Sequence, residues 1–153
     1  MKKFLQIILG ISFLFLLVGC SSQETATFTQ KLDRAEFFVT YTYDKNKDVV
    51  TKIKTEVNQS AEFTEARKEN EKLFEELKGI DGVVTSITEK DGKLIVSLEI
   101  DLKKMKWSTI KNSDNLLLLH LAQSSYLIGE DDDASFSRSK KAAEILGFTE
   151  QKK

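Results

Sequence analysis

Apolar and polar residues alternate along much of this chain, and the alternation has the two-residue period of a β-strand. Phe37, Val39, Tyr41 and Tyr43 fall on one side of such a segment, with Thr40 and Thr42 on the other. After the turn-forming Asp44-Lys45-Asn46-Lys47, Val49, Thr51, Ile53, Thr55 and Val57 alternate with Lys52, Lys54 and Glu56. Phe28 to Leu32 alternates weakly and reads as a first strand, with Asp33-Arg34 as the turn that follows it. Val83 to Thr88 reads as a further strand. Asp91-Gly92 suits a type I′ turn. Beyond it Leu94, Val96, Leu98 and Ile100 alternate with Ile95, Ser97, Glu99 and Asp101. One apolar side and one wet side per strand is the pattern of an antiparallel sheet packed on a single face.

Between these strands the period changes to that of a helix. Over residues 62–78 Phe63, Ala66, Leu73, Phe74 and Leu77 recur at helical spacing, with Ser60 as a candidate N-cap and Gly79 as the C′ residue. Met105, Trp107 and Ile110 anchor an irregular or short helical segment over residues 103–111. Residues 115–128 contain Leu116 to Leu121, apolar on too many sides for a surface helix; Ser113 or Asp114 would cap a helix there, and a buried strand is the alternative. Gly129 to Asp133 reads as an acidic loop. A last helix over residues 138–146 is capped by Ser135 or Ser137 and closed by Gly147, with Phe148 placed to pack back. The pattern predicts an α+β fold: a two-layer sandwich with an antiparallel sheet and helices packed on one face.

The first residues follow neither period. Lys2 and Lys3 precede an apolar run from Phe4 to Val18. As a helix that run spans about 22 Å, short of the ~30 Å hydrocarbon core of a bilayer, and so fits a signal peptide better than a membrane span. It ends in Leu17-Val18-Gly19-Cys20, which resembles a lipobox, the cleavage motif of bacterial lipoproteins. In that motif the small Gly19 admits the peptidase, and the Cys20 thiol accepts diacylglycerol before becoming the new N-terminus. Residues 1–19 are therefore expected to be a lipoprotein signal peptide and residues 20–27 a lipidated tether. Residues 28–153 form a single domain. The expected location is the extracytoplasmic face of the cell membrane, with membrane lipid as the partner held through acylated Cys20.

Composition narrows the chemistry. Without Lys2 and Lys3 the chain carries 21 basic and 24 acidic side chains, a net charge of −3. No basic field exists to attract nucleic acid. Cys20 is the only cysteine, so no intrachain disulfide forms and the core must hold the fold. His120 is the only histidine and sits within the leucine run. A zinc site lacks ligands, and a serine triad lacks its nucleophile elbow. Asp131, Asp133 and Ser135 match the start of a calcium loop, but Phe136 and Ala142 stand where Gly and Glu are required. No catalytic residue, metal or cofactor is expected. Phe37, Tyr41 and Tyr43 share the inward face and read as core, whereas Phe38 falls opposite as a candidate exposed aromatic. Lys45, Lys47, Lys52 and Lys54 read as a solvated face.

The chain resembles the YehR-like family of small bacterial lipoproteins, whose domain has no known function. The resemblance rests on the lipobox, Val39-Thr40-Tyr41-Thr42-Tyr43, Lys45, Gly79-Ile80-Asp81-Gly82-Val83, Ile100-Asp101-Leu102, and Ala142-Ala143-Glu144-Ile145-Leu146-Gly147-Phe148. It covers nearly all of the chain after the signal. It implies a two-layer α+β sandwich and supplies no catalytic residues; the Leu116–Leu121 run departs from the more polar family pattern.

The expected role is that of a non-catalytic binding module in the cell envelope, recognising an envelope protein or a small ligand. Leu118, Leu119 and Phe38 are the candidate contact residues. The competing readings are a carboxylate-dependent enzyme acting on wall or lipid substrates and a purely structural lipoprotein.

Overall fold

The structure, a computed structural model, describes residues 22–60 and 64–152. The expected signal peptide and lipobox lie outside the described residues. Strands β1 (Gln23–Leu32), β2 (Ala35–Asp44) and β3 (Val49–Ser60) form an antiparallel meander. Helix α1 (Thr64–Glu75) leads into the hairpin of β4 (Val83–Lys90) and β5 (Lys93–Asp101). Helices α2 (Trp107–Lys111) and α3 (Leu116–Gln123) follow. The short hairpin β6 (Ile128–Glu130) and β7 (Asp133–Ser135) then precedes α4 (Phe136–Ile145) and β8 (Thr149–Glu150). The sheet order is β4-β5-β3-β2-β1-β8, with β7 pairing the first residues of β3 where β5 has ended. The fold is the α+β sandwich that the alternation predicts.

Register shows why one face is apolar. Phe28 pairs with Val39, Ala26 with Tyr41, Tyr41 with Ile53, and Ile53 with Ile100. These side chains stand on the inner face and are all buried. The outer face carries Thr27 beside Thr40, their hydroxyls 3.1 Å apart, and the ion pairs Lys52–Glu99 at 2.8 Å and Lys54–Glu56 at 3.0 Å. Such exposed pairs contribute little to stability. Lys45 pairs with Glu24 at 2.9 Å, and Lys45 and Lys47 are exposed, in keeping with the solvated face expected of these lysines. Both Asp91 (φ 52°) and Gly92 (φ 71°) have the positive φ of a type I′ turn.

Several boundaries move. β1 begins at Gln23, so Gln23–Thr27, expected in the tether, is sheet. Its residues alternate too weakly to read as a strand, and it is pairing with β2 along its whole length that orders them. The leucine run is a helix and not a strand: the Asn115 side chain accepts from the Leu117 and Leu118 amides at 3.0 and 3.2 Å, taking the capping place expected of Ser113 or Asp114. The helix ends at Gln123, five residues before the expected limit, and Ile128 belongs to β6. The expected acidic loop is the turn of the β6–β7 hairpin, reached through Asp131 at φ 49°. Asp132 receives the Ser108 hydroxyl at 2.6 Å, and Glu130 pairs with Arg138.

The helix layer is pinned to the sheet at two points. Tyr41, wholly buried, donates its hydroxyl to the Tyr126 carbonyl, and burial pushes its phenol well above the ordinary range. At the start of α4, the Asp48 carboxylate in the β2–β3 turn accepts from the Ser135 hydroxyl at 2.6 Å, the Ser137 amide at 2.8 Å and the Ser137 hydroxyl at 2.7 Å. A remote acid thus supplements the local Ser135 cap. At the other end, Gly147 (φ 92°) closes α4, and the buried Phe148 returns its amide to the Ala143 carbonyl at 3.0 Å.

Partial burial raises the Asp48 pKa, but the two serine hydroxyls and the Ser137 amide outweigh it and hold the carboxyl below its ordinary value. Its stabilising contribution is therefore present above the ordinary carboxylate range and is lost as pH falls through the depressed native value. Asp48→Asn keeps the shape and tolerates the positive φ. It should cost about 1 kcal/mol at neutral pH, with the difference from the parent protein shrinking below about pH 4 in denaturant titrations.

Candidate functional site

The four helices among the described residues cover the inner face incompletely. α1 lies against β4, α4 packs on β6, β7 and β8, and α3 packs on α2. Between α1 and α3 the central strands stay open to a groove of about 350 Å³. Its floor is Phe37 and Val39 of β2, Thr55 and Val57 of β3, and Val96 and Leu98 of β5. Alternation places these residues on one face, and register places them side by side: Val39 opposite Thr55, Val57 opposite Val96, Thr55 opposite Leu98. Phe74 of α1 and Leu117 of α3 form the walls, and Tyr126 and Phe148 close one end.

Polar groups at the groove are few. Thr55 sits on the floor, and Asn70 and His120 stand on the two helices that frame the opening. Among the described lining residues Glu56 is the one carboxylate, and it is held by Lys54. Two facing carboxylates, the minimum for a glycosidase-type reaction, do not meet among the described residues here. An apolar hollow with a few convergent polar groups is the form of a binding site. A larger hollow of about 950 Å³ at the outer edge of β1 is lined by Gln23, Glu24, Thr25, Tyr43 and Glu150, as polar as it is apolar. It lacks the convergent apolar walls of the groove.

The candidate contact residues divide. Leu118 is only 2% exposed and belongs to the core, so it cannot be a contact residue. Leu119 is half-buried and lines a shallow depression with Leu73, Leu116 and His120 that continues the groove outward between α1 and α3. Leu117 lines both the groove and this depression, and Leu116, 68% exposed, lines the depression alone. Phe38 alternates with Phe37 and Val39 and so belongs to the outer face, half-buried between Thr29 and Glu56 of the neighbouring strands, yet its position in β2 still borders the groove. Of the other aromatics, Tyr41 and Trp107 are core, and Tyr43 stacks on Phe136 with ring centroids 3.5 Å apart. Phe74, Val57 and Val96 were legible as amphipathic faces; that they leave a gap was not.

The leucines should separate accordingly. Leu118→Ala should cost about 2–5 kcal/mol, as a large-to-small change in a packed core. Leu116→Ala should stay within about 0.5 kcal/mol of the parent. Thermal and denaturant unfolding of both variants measures the difference, and equal losses would place Leu116 in the core as well.

The comparison with known proteins bears on the fold. Residues 24–149 match the family model described as protein of unknown function (DUF1307). The solution NMR structure of the E. coli YehR protein is similar, with a TM-score of 0.58 and 22% identity, covering 84% of this chain and 90% of that one. The NMR structure of a protein from Streptococcus pneumoniae TIGR4 is also similar, with a TM-score of 0.55 and 16% identity, covering 84% and 85%. At these identities the two structures speak to the fold alone. No curated protein matches the chain. The YehR-like resemblance seen in the sequence is borne out, and with the family model spanning nearly all the described residues, the chain belongs to the DUF1307 family of proteins of unknown function.

Proposed function

We propose that this protein is a lipoprotein, anchored through acylated Cys20 to the extracytoplasmic face of the cell membrane, whose domain binds a small apolar ligand without chemically changing it. The observation that carries the binding reading is the groove over Val39, Val57, Val96 and Leu98, walled by Phe74 and Leu117. A volume of about 350 Å³ suits a small molecule, and the apolar walls supply the driving force for its transfer from water. Thr55 and His120 are among the few polar side chains at the groove that would contact such a ligand. The anchoring reading is supported by the basic start, the apolar run and the lipobox Leu17-Val18-Gly19-Cys20. Among the described residues no helix is long and apolar enough to cross a membrane.

Two measurements test this reading. Soluble protein beginning at Ser21 should enhance the fluorescence of N-phenyl-1-naphthylamine saturably. Leu117→Glu, at the groove wall, should abolish the enhancement while circular dichroism and melting temperature hold. An absent enhancement, or one indifferent to the substitution in a folded variant, rules the groove out as the binding site. Separately, growth with a fatty-acid analogue should label the parent protein and not Cys20→Ala. Label persisting on the variant removes Cys20 as the anchor.

A further inference from the structure

The point at which the chain enters the domain is fixed on the β2–β3 turn. The Lys45 amide donates to the Ser22 carbonyl at 2.8 Å, and Gln23 opens β1 directly opposite Asp44. The Ser22 side chain bonds the Asp44 carboxylate and, with the Lys47 and Asn46 amides, holds it below its ordinary pKa despite a smaller opposing desolvation. Only Ser21 stands between Ser22 and Cys20. Two Cα–Cα steps reach at most about 7 Å, so an acyl group on Cys20 leaves no working tether.

We infer that the end of the sheet carrying Lys45, Asn46 and Lys47 rests on the surface of the bilayer that holds the lipid, and that the domain is oriented there and does not swing. This rests on the anchored reading proposed above. All three residues are exposed and so accessible to a membrane surface. The surrounding charges are balanced and do not single out anionic lipid. Lys45 pairs with Glu24, Arg138 with Glu130, and Asp48 is occupied by the start of α4. The short connection, and not a basic patch, enforces the contact. The turns Asp33-Arg34 and Asp91-Gly92 lie at the opposite end of the sheet. Ten residues of β2 separate the two ends, roughly 30 Å at ~3.3 Å per residue. The groove floor at Phe37 and Val57 lies toward that distant end, beyond the headgroup layer. A ligand would therefore reach it from the aqueous side.

The test uses the full chain, lipidated in cells and reconstituted into phosphatidylcholine vesicles carrying a headgroup-attached short-range quencher. Asn46→Cys and Asp33→Cys, at exposed turn positions, are labelled separately with one fluorophore. Quenching at position 46 should exceed that at position 33 several-fold. Inserting about twelve Gly/Ser residues between Ser21 and Ser22 should erase the contrast, since a flexible linker of that length spans ~20 Å. Equal quenching in the parent protein, or a contrast that survives the insertion, overturns the fixed orientation while leaving the lipoprotein reading standing. Protein that takes no fatty-acid label and stays off the vesicles overturns both.

Discussion

The structure depends on covering one apolar sheet face with too little helix. With no disulfide available, stability must come from burying the inner side chains of β1, β2, β3 and β5, and Phe28, Tyr41, Ile53 and Ile100 are sealed there. Six strands in the order β4-β5-β3-β2-β1-β8 span about 24 Å at ~4.8 Å per strand. The helices above them run 12, 5, 8 and 10 residues. α4 is drawn to one side by Asp48, α3 leans on α2, and α1 rests on β4 at the far edge. The groove is what this arrangement leaves open. Its apolar floor is a continuation of the core and needs no separate explanation for its composition.

Polar chemistry fixes where the helices sit. Asp48 lies 87 residues before Ser135, yet its carboxylate anchors the start of α4 through two serines. The Tyr41 hydroxyl reaches the Tyr126 carbonyl just after α3, and Ser139, fully buried, accepts the Ile128 amide at 2.9 Å. The Tyr41 and Ser139 bonds satisfy side chains that would otherwise be buried unpaired, so they are strict about geometry. Gly129 belongs to the same set: a Cβ there would lie 2.5 Å from the Trp107 ring, which packs directly on the β6 backbone. Apolar burial drives the layers together, and these contacts select the one arrangement in which the groove exists.

The same turn that holds α4 also receives the chain. Ser22 bonds to the β2–β3 turn on one side while Asp48 leaves it toward α4 on the other. The start of β1, the sheet and the helix layer are thus mechanically continuous, with the groove floor running from the middle of β2 and β3 toward their opposite end.

Alternation and period in the sequence determined the five longer strands apart from the start of β1, the α+β class, the inward face and the closing Gly147–Phe148 return, because each depends on neighbours within a few residues; the short β6, β7 and β8 carry no such pattern. The resemblance of Leu17-Val18-Gly19-Cys20 to a lipobox is a local reading of the same kind, carried by a contiguous run of residues. Period alone left the leucine run open between helix and strand, since an apolar stretch of that length satisfies either. Tertiary packing decided it, burying Leu118 and Leu121 while leaving Leu116 exposed. Packing also decided that Gln23–Thr27 is sheet, because strand order there comes from pairing with residues 40–44 and not from its own weak pattern. The groove was beyond any local reading. It is a gap between helices, bounded by groups such as Tyr126 that are held by residues far away in the chain, here Tyr41.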